Sequence, residues 1–264
     1  MTLGQALATA QSALSGLADP RMEARWLVMA VAGVDQVSLM IHPERELSQA
    51  AFEAALARRV AGESLAVISG RADFLDATFA VGPGVLVPRP DSETFAQITL
   101  GPGPILDLGT GSGALATVLK QQHPDTMVLA LERSCQALSY ARRNLGGRGV
   151  SLVRGSWLDA IAPNCIGTLV ANPPYIDAGE PELRGDGVCF EPLEALVAAD
   201  RGMADLQAII AAAPARLLSG GWIWLEHGYQ QADSVADALS AAGFGRVRHL
   251  TDVGGHRRIT GGQL

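Results

Sequence analysis

The chain has 264 residues, 48% of them hydrophobic, enough to bury a sizeable core in one large domain or two modest ones. It carries 27 acidic against 20 basic residues, a net charge of −7, with Lys120 the single lysine and no basic run longer than two. That balance is a poor grip for bare nucleic-acid phosphates.

No apolar run approaches the ~18 residues of a membrane span. The opening MTLGQALATAQSALSG lacks the basic-then-apolar order of a signal peptide. The 3 cysteines (Cys135, Cys165, Cys189) have no CxxC spacing, which argues against a disulfide framework and a zinc site. A soluble, cytoplasmic protein without membrane, direct nucleic-acid partner or bound metal is expected.

Residues 1–69 are rich in alanine and leucine at helical spacing. Leu3, Leu7, Ala10 and Leu14 fall on one face, and Trp26, Leu27, Met29 and Ala30 on a second segment. A third segment, 49–60, carries Phe52, Leu56 and Val60 at four-residue steps, with breaks expected at 16–20 and 33–35. Residues 70–91 form a linker: RADFLDATFAV alternates like a hairpin, and GPGVLVPRPDSE is too proline-rich for regular structure. Asp91 or Ser92 is suited to cap a short helix there.

Residues 92–264 form the second domain. From 104 onward strands and helices alternate: PILDLG, GALATVLKQQ, MVLALE, SCQALSYARRNL, VSLVRG, TLVAN, MADLQAIIAAAPARLL, WIWLEHG and ADSVADALSAAG. Gly220-Gly221 reads as the stop of the seventh of these, and the tail as two strands joined at Gly254-Gly255. Alternation of this kind predicts a parallel sheet covered on both faces, closed by at least one antiparallel strand.

DLGTGSGALA follows the first of these strands and opens a helix. Gly109, Gly111 and Gly113 let backbone approach a ligand, and Thr110 and Ser112 lie between them, where free N–H groups point outward. Glu132 ends the next strand, where a carboxylate can accept both hydroxyls of a ribose. Gly109-x-Gly111-x-x-Ala114 also satisfies the dinucleotide fingerprint. The G-x-G-x-G spacing directly after Asp107 favours S-adenosylmethionine instead, because an aspartate suits a cationic ligand and not a pyrophosphate.

TLVANPPYID ends a strand in residues that cannot continue it. Proline holds Asn172 extended and leaves a stiff turn with few local donors. The Asn172 side-chain oxygen and the Pro173 carbonyl can then accept the two N–H bonds of an amide, with Pro174 stiffening the turn and Tyr175 flat against the planar group. Displacement at an activated methyl needs positioning more than a strong base. Accordingly no Ser/His/Asp set is evident, and His227 reads as structural.

These residues resemble a class I S-adenosylmethionine-dependent methyltransferase, and more closely the release factor glutamine N5-methyltransferases, the PrmC/HemK family. The likeness also rests on SLAVISGRADFLDATFAVGPGVLVPRPDSE, RGSWLDAI, CFEPLEAL, GGWIWLEHGYQQ and GFGRVRHLTDVGGHRRITG. It implies a Rossmann-like seven-stranded α/β domain behind a small helical domain that recognises substrate, acting on peptide-chain release factors; a monomer is expected. It further implies transfer of methyl from S-adenosyl-L-methionine, leaving S-adenosyl-L-homocysteine, to the glutamine of a GGQ motif.

By the same resemblance Gly109, Thr110, Gly111, Ser112, Gly113, Glu132, Trp157 and Asn172 hold the cofactor. Asn172, Pro173, Pro174 and Tyr175 hold the glutamine, with Arg89 and Glu191 nearby. Glu132 stands where aspartate is usual, Ser156 where aspartate is common, and Val67 where a tyrosine is. A ribosomal-protein glutamine methyltransferase, a nucleic-acid adenine-N6 methyltransferase and a non-catalytic cofactor-binding module are the alternatives. The chain itself ends Gly261-Gly262-Gln263-Leu264, a GGQ that as a frayed tail could act as an autoinhibitory or self-methylated substrate; coincidence is the expectation, since short motifs recur by chance.

Overall fold

The computed structural model describes residues 1–264 and divides into two compact units. The first comprises Met1–Arg71 and Arg184–Phe190, the second Ala72–Leu183 and Glu191–Leu264. The return of 184–190 to the helical unit has no signature in the local sequence.

The first unit holds α1 (Leu3–Ala13), α2 (Pro20–Ala32), α3 (Gln36–Ile41), α4 (Gln49–Val60) and α5 (Leu65–Ser69). Each begins at a side-chain cap. Thr2 and Gln5 form a reciprocal capping box, and Asp19, Asp35, Ser48 and Ser64 each accept a backbone N–H of the first turn. Such caps contribute about 1 kcal/mol apiece.

The core faces differ from the spacing-based expectation in two helices. In α2 the buried set is Ala24, Leu27 and Val28, and Trp26 is 51% exposed. In α4 it is Phe52, Ala55 and Arg59, and Val60 is 58% exposed. Arg59 can be buried because its guanidinium is matched: Nε donates to Glu23 at 2.8 Å, and both terminal nitrogens donate to Asp186. An unmatched charge there would be prohibitive. Gly187 N–H also donates to the Gly62 carbonyl at 3.0 Å, so 184–190 is fastened by both charge and backbone.

The second unit opens with the paired strands β1 (Arg71–Phe74) and β2 (Ala77–Ala80). A 3-10 helix follows at Pro90–Gln97, with Arg89 at its N-cap position and no side-chain cap. Asp91 and Ser92 lie inside it, so neither caps a helix. The sheet is built from β3 (Ile105–Leu108), β4 (Val128–Glu132), β5 (Val150–Arg154), β6 (Ile166–Ala171), β7 (Leu217–Glu226), β8 (Gly245–Thr251) and β9 (Arg257–Gln263). Between them run α6 (Ala114–Gln122), α7 (Cys135–Leu145), α8 (Ala204–Ala212) and α9 (Ala232–Ala241).

The strand order is β5-β4-β3-β6-β7-β9-β8, parallel throughout except that β9 runs antiparallel to both neighbours. Alternating side chains feed two separate cores, as a period of two requires. Leu106, Leu169 and Ile223 pack with α8 and α9 residues such as Ile209 and Val235, while Ile105, Val170 and Trp224 pack with Leu119 of α6 and Ala141 of α7. Trp222 and Trp224 share a face and stack at 5.1 Å.

Gly220-Gly221 does not end a helix. The helix before it ends at Ala212 and a short 3-10 turn follows, while the two glycines lie within β7. A Cβ at Gly221 would come within 2.8 Å of the Leu218 carbonyl. Cys135 is exposed at the start of α7. Strand order runs outward from β3 in one direction and from β6 in the other, so the carboxyl ends of β3 and β6 flank the crevice where open α/β sheets bind ligands.

Candidate active site

A solvent-open cleft sits at that crevice, where open α/β sheets place their small-molecule sites. Gly109, Thr110, Gly111 and Ser112 form one wall. Gly109 and Gly111 have φ of +74° and +57°, the left-handed region that glycine enters freely. Gly113, at φ +83°, stands outside the lining as the N-cap residue of α6, where a Cβ would meet Leu145 at 2.9 Å. Left-handed backbone and helix packing together demand that glycine.

Asp107 faces the cleft, but its Oδ2 is used in tying the loop down, accepting from the Thr110 hydroxyl and from Ala116 N–H at 3.0 Å. Burial pushes its carboxyl up to about 7 against these hydrogen bonds. Glu132 lines the cleft from the end of β4, its oxygens accepting Gly111 N–H at 3.0 Å and Ser134 N–H at 2.8 Å. Two carboxylate oxygens offer about four lone-pair sites, so capacity for hydroxyl donors remains. Trp157, also on the lining, has its ring against Gly109, with 3.5 Å to the position a Cβ would take. Ser156 is exposed and outside the lining.

The turn after β6 forms another wall through Asn172 and Pro174. Pro173 is buried outside the lining, and Tyr175 points away, its hydroxyl donating to Glu226 Oε1 at 3.2 Å. Burial raises the Tyr175 hydroxyl, which stays protonated. Tyr175 therefore braces the turn from behind and does not lie in the cleft.

Arg89 reaches the lining and donates to Glu191 Oε2 at 2.7 Å. Glu191 is buried beside it with Oε1 unpartnered, and burial raises its carboxyl against the pull of Arg89.

Ser92 and Glu226 escaped the sequence reading as site residues. Ser92 lines the cleft and donates to the buried Glu226 Oε2 at 2.5 Å. The available signal was a serine in a linker and a glutamate at a strand end, neither of which announces a pair. His227, the residue after β7, donates Nδ1–H to the Gly228 carbonyl and accepts at Nε2 from Thr260. Burial holds it neutral, with its pKa down to about 4. Arg257 and Arg258 are in ion pairs: Arg257 with Asp233, Arg258 with Asp91 and Asp252.

No three His, Cys, Asp or Glu side chains are grouped to hold a metal ion, and no helix is long and apolar enough to cross a membrane. The strand order, the glycine loop and the cleft beyond β3 and β6 define a Rossmann-like class I methyltransferase. Family models match the PrmC N-terminal domain over residues 5–70 and the methyltransferase small domain over 92–184.

Among curated proteins, the chain is 38% identical to the release factor glutamine methyltransferase of Escherichia coli K12, covering 97% of each chain. It is 39% identical to that of Bordetella pertussis, over 93% of this chain and 95% of the other. Among solved structures, a methyltransferase from Pyrococcus furiosus superposes with a TM-score of 0.56 at 20% identity, over 80% of this chain and 98% of that one. The chain belongs to the release factor glutamine methyltransferase family.

Proposed function

We propose that the protein transfers a methyl group from S-adenosyl-L-methionine to the side-chain amide nitrogen (N5) of the glutamine in the GGQ motif of peptide-chain release factors. The observation that carries this is the meeting of Asn172 and Pro174 with Gly109–Ser112 and Trp157 in one cleft. Bound there, the cofactor supplies an electrophilic methyl carbon and leaves as S-adenosyl-L-homocysteine.

The loop Gly109–Ser112 would hold the cofactor's main body, Glu132 would accept its ribose hydroxyls, and Trp157 would pack against its adenine. Asn172 accepts one amide N–H of the substrate through Oδ1 and the Pro173 carbonyl accepts the other. The nitrogen lone pair is then aimed at the methyl carbon. As the new C–N bond forms the nitrogen becomes strongly acidic and its surplus proton passes to water, so positioning carries most of the rate. Pro174 and Tyr175 keep the turn stiff. Arg89, held by Glu191, offers a cation at the rim for substrate carbonyls.

The helical unit serves substrate recognition, for which the exposed apolar side chains Trp26, Met40 and Ile41 are suited. A net charge of −7 supports a protein substrate over nucleic acid. We take the enzyme to act as a monomer.

The test is methyl transfer from labelled S-adenosylmethionine to an intact release factor, beside its GGQ→GGA version, with peptide mass spectrometry. Label on the GGQ glutamine and none in the control is expected. Label only on ribosomal protein or nucleic acid would overturn the assignment.

A further inference from the structure

An asparagine can hold a substrate NH2 in only one of its two amide orientations. With Oδ1 toward the cleft it accepts an N–H. Turned by half a rotation it presents two more donors to a donor. The two orientations have the same shape, so packing does not choose between them, and a hydrogen-bond partner of fixed polarity must.

Ser92 is that partner. Asn172 Nδ2 lies 3.2 Å from Ser92 Oγ, and Ser92 Oγ lies 2.5 Å from Glu226 Oε2. Ser92 is 6% exposed and Glu226 0%. A hydroxyl has one hydrogen, and an ionised carboxylate only accepts. The carboxylate therefore takes the hydroxyl hydrogen and leaves Ser92 only lone pairs to offer Asn172. The second carboxylate oxygen accepts from Tyr175, so both are engaged as acceptors.

The geometry points to a polarity relay in which Glu226 orients the Ser92 hydroxyl, and Ser92 in turn locks Asn172 with Nδ2 inward and Oδ1 toward the substrate amide. The relay rests on the role proposed above for Asn172. Ser92 and Glu226 are positioning residues, acting through Asn172.

Protonation of Glu226 undoes the relay. A carboxylic acid can donate to Ser92, whose own hydrogen is then free to point at Asn172 and favour the reversed amide. The groups facing Glu226 are Tyr175 from the turn after β6, Asp91 from the 3-10 helix and Arg258 from β9, with neutral His227 beside it just past the end of β7. Burial and Asp91 raise its carboxyl, Ser92, Tyr175 and Arg258 lower it, and the outcome is about 7. Turnover therefore rises with pH through about 7.

The test compares kcat, KM for the release factor, and cofactor Kd in four variants. Ser92→Ala is expected to lower kcat by about 10- to 100-fold, as misplacement of a reacting group does, with cofactor Kd within about twofold. Ser92→Thr, which restores the hydroxyl, recovers most of that loss. Glu226→Gln, whose amide has no fixed polarity, loses the pH limb near 7. A network that merely supported the fold would move cofactor Kd along with the rate and leave the limb in place.

Wild-type kcat in Ser92→Ala, or a limb that survives Glu226→Gln, overturns the relay. Should the buried Glu226→Gln fail to fold, the Ser92 pair decides alone. Asn172→Ala separates the two ideas. If it is as active as wild type, the reading of Asn172 falls and the relay with it. If it is inactive beside a fully active Ser92→Ala, only the relay falls.

Discussion

Asn172 carries the largest expectation of any residue. Asn172→Ala removes an acceptor for the substrate amide while leaving the glycine loop, Glu132 and Trp157 untouched. Cofactor affinity measured by calorimetry should stay within about tenfold, and methyl transfer should fall by about 10²-fold or more. Equal loss of both would mean that Asn172 belongs mainly to the cofactor site.

A second expectation concerns pH and stability. In the folded protein burial pushes Asp107 and Glu226 up to about 7, from ordinary values of 3.8 and 4.5. Each therefore binds its proton more tightly folded than unfolded. The stability this contributes is full below about pH 4 and is lost as pH rises through about 7. Melting temperature should accordingly fall between pH 5 and 8.5, and less steeply in Asp107→Asn than in wild type. Parallel slopes for the two proteins would refute the assignment of Asp107. If the relay holds, Glu226 is ionised for turnover in the range where ionisation weakens the fold.

At the scale of elements, β9 explains the terminal GGQ. Gly261 pairs with Trp224 and Gly262 with Ile223, in a strand that lies between β7 and β8. A Cβ on Gly261 would sit 2.2 Å from the Trp224 ring, and one on Gly262 2.9 Å from Phe244 Cβ. These glycines let β9 pass under aromatic side chains. Gln263 is tied to the Gly220 carbonyl at 3.0 Å and accepts from Arg246 at 3.0 Å, which is no posture for a substrate tail. Gly261→Ala should destabilise the protein by about 1–3 kcal/mol in denaturant unfolding, the range for overpacked core sites. Gln263→Ala should methylate release factor at the wild-type rate, and mass spectrometry of wild type should find Gln263 unmodified. Methyl on Gln263 would reverse this reading.

At the scale of the molecule, the chain leaves the helical unit at residue 71 and returns to it at 184–190, just after the Asn172 turn and just before Glu191. Arg59 is the anchor of that return. Arg59→Ala leaves Glu23 and Asp186 facing a cavity. Removing one partner of a fully buried pair costs about 3–5 kcal/mol, but Asp186 is half exposed, so the penalty should lie below that range. Hydrogen exchange is the direct readout: amides of 184–190 should exchange much faster in Arg59→Ala, while those of β3 and β6 do not change. Protection of 184–190 unchanged from wild type would mean that the backbone bond to Gly62 suffices without the ion pair.

Much of this architecture is legible in the amino-acid sequence. Strands such as ILDL and TLVA and helices such as ALATVLKQQ declare themselves by local period, and Gly109 and Gly111 by the backbone freedom that a tight strand-to-helix turn needs. Asn172-Pro173-Pro174 was readable for the same reason, since proline restricts its own neighbours. What failed was whatever depends on a partner far along the chain.

The buried face of α2 turned away from Trp26 toward Ala24 and Val28, and Arg59 went inside because Glu23 and Asp186 neutralise it. Ser92 looked like a cap because serine favours caps, and became a relay because Glu226, 134 residues later, stands against it. Sequence alone determined most of the elements and the order of the sheet's βα units, because these follow from hydrophobic period and backbone sterics within a few residues. The tertiary structure decided which charges could be buried and which way the Asn172 amide points. Those depend on the donor or acceptor across the gap, and local sequence carries no record of it.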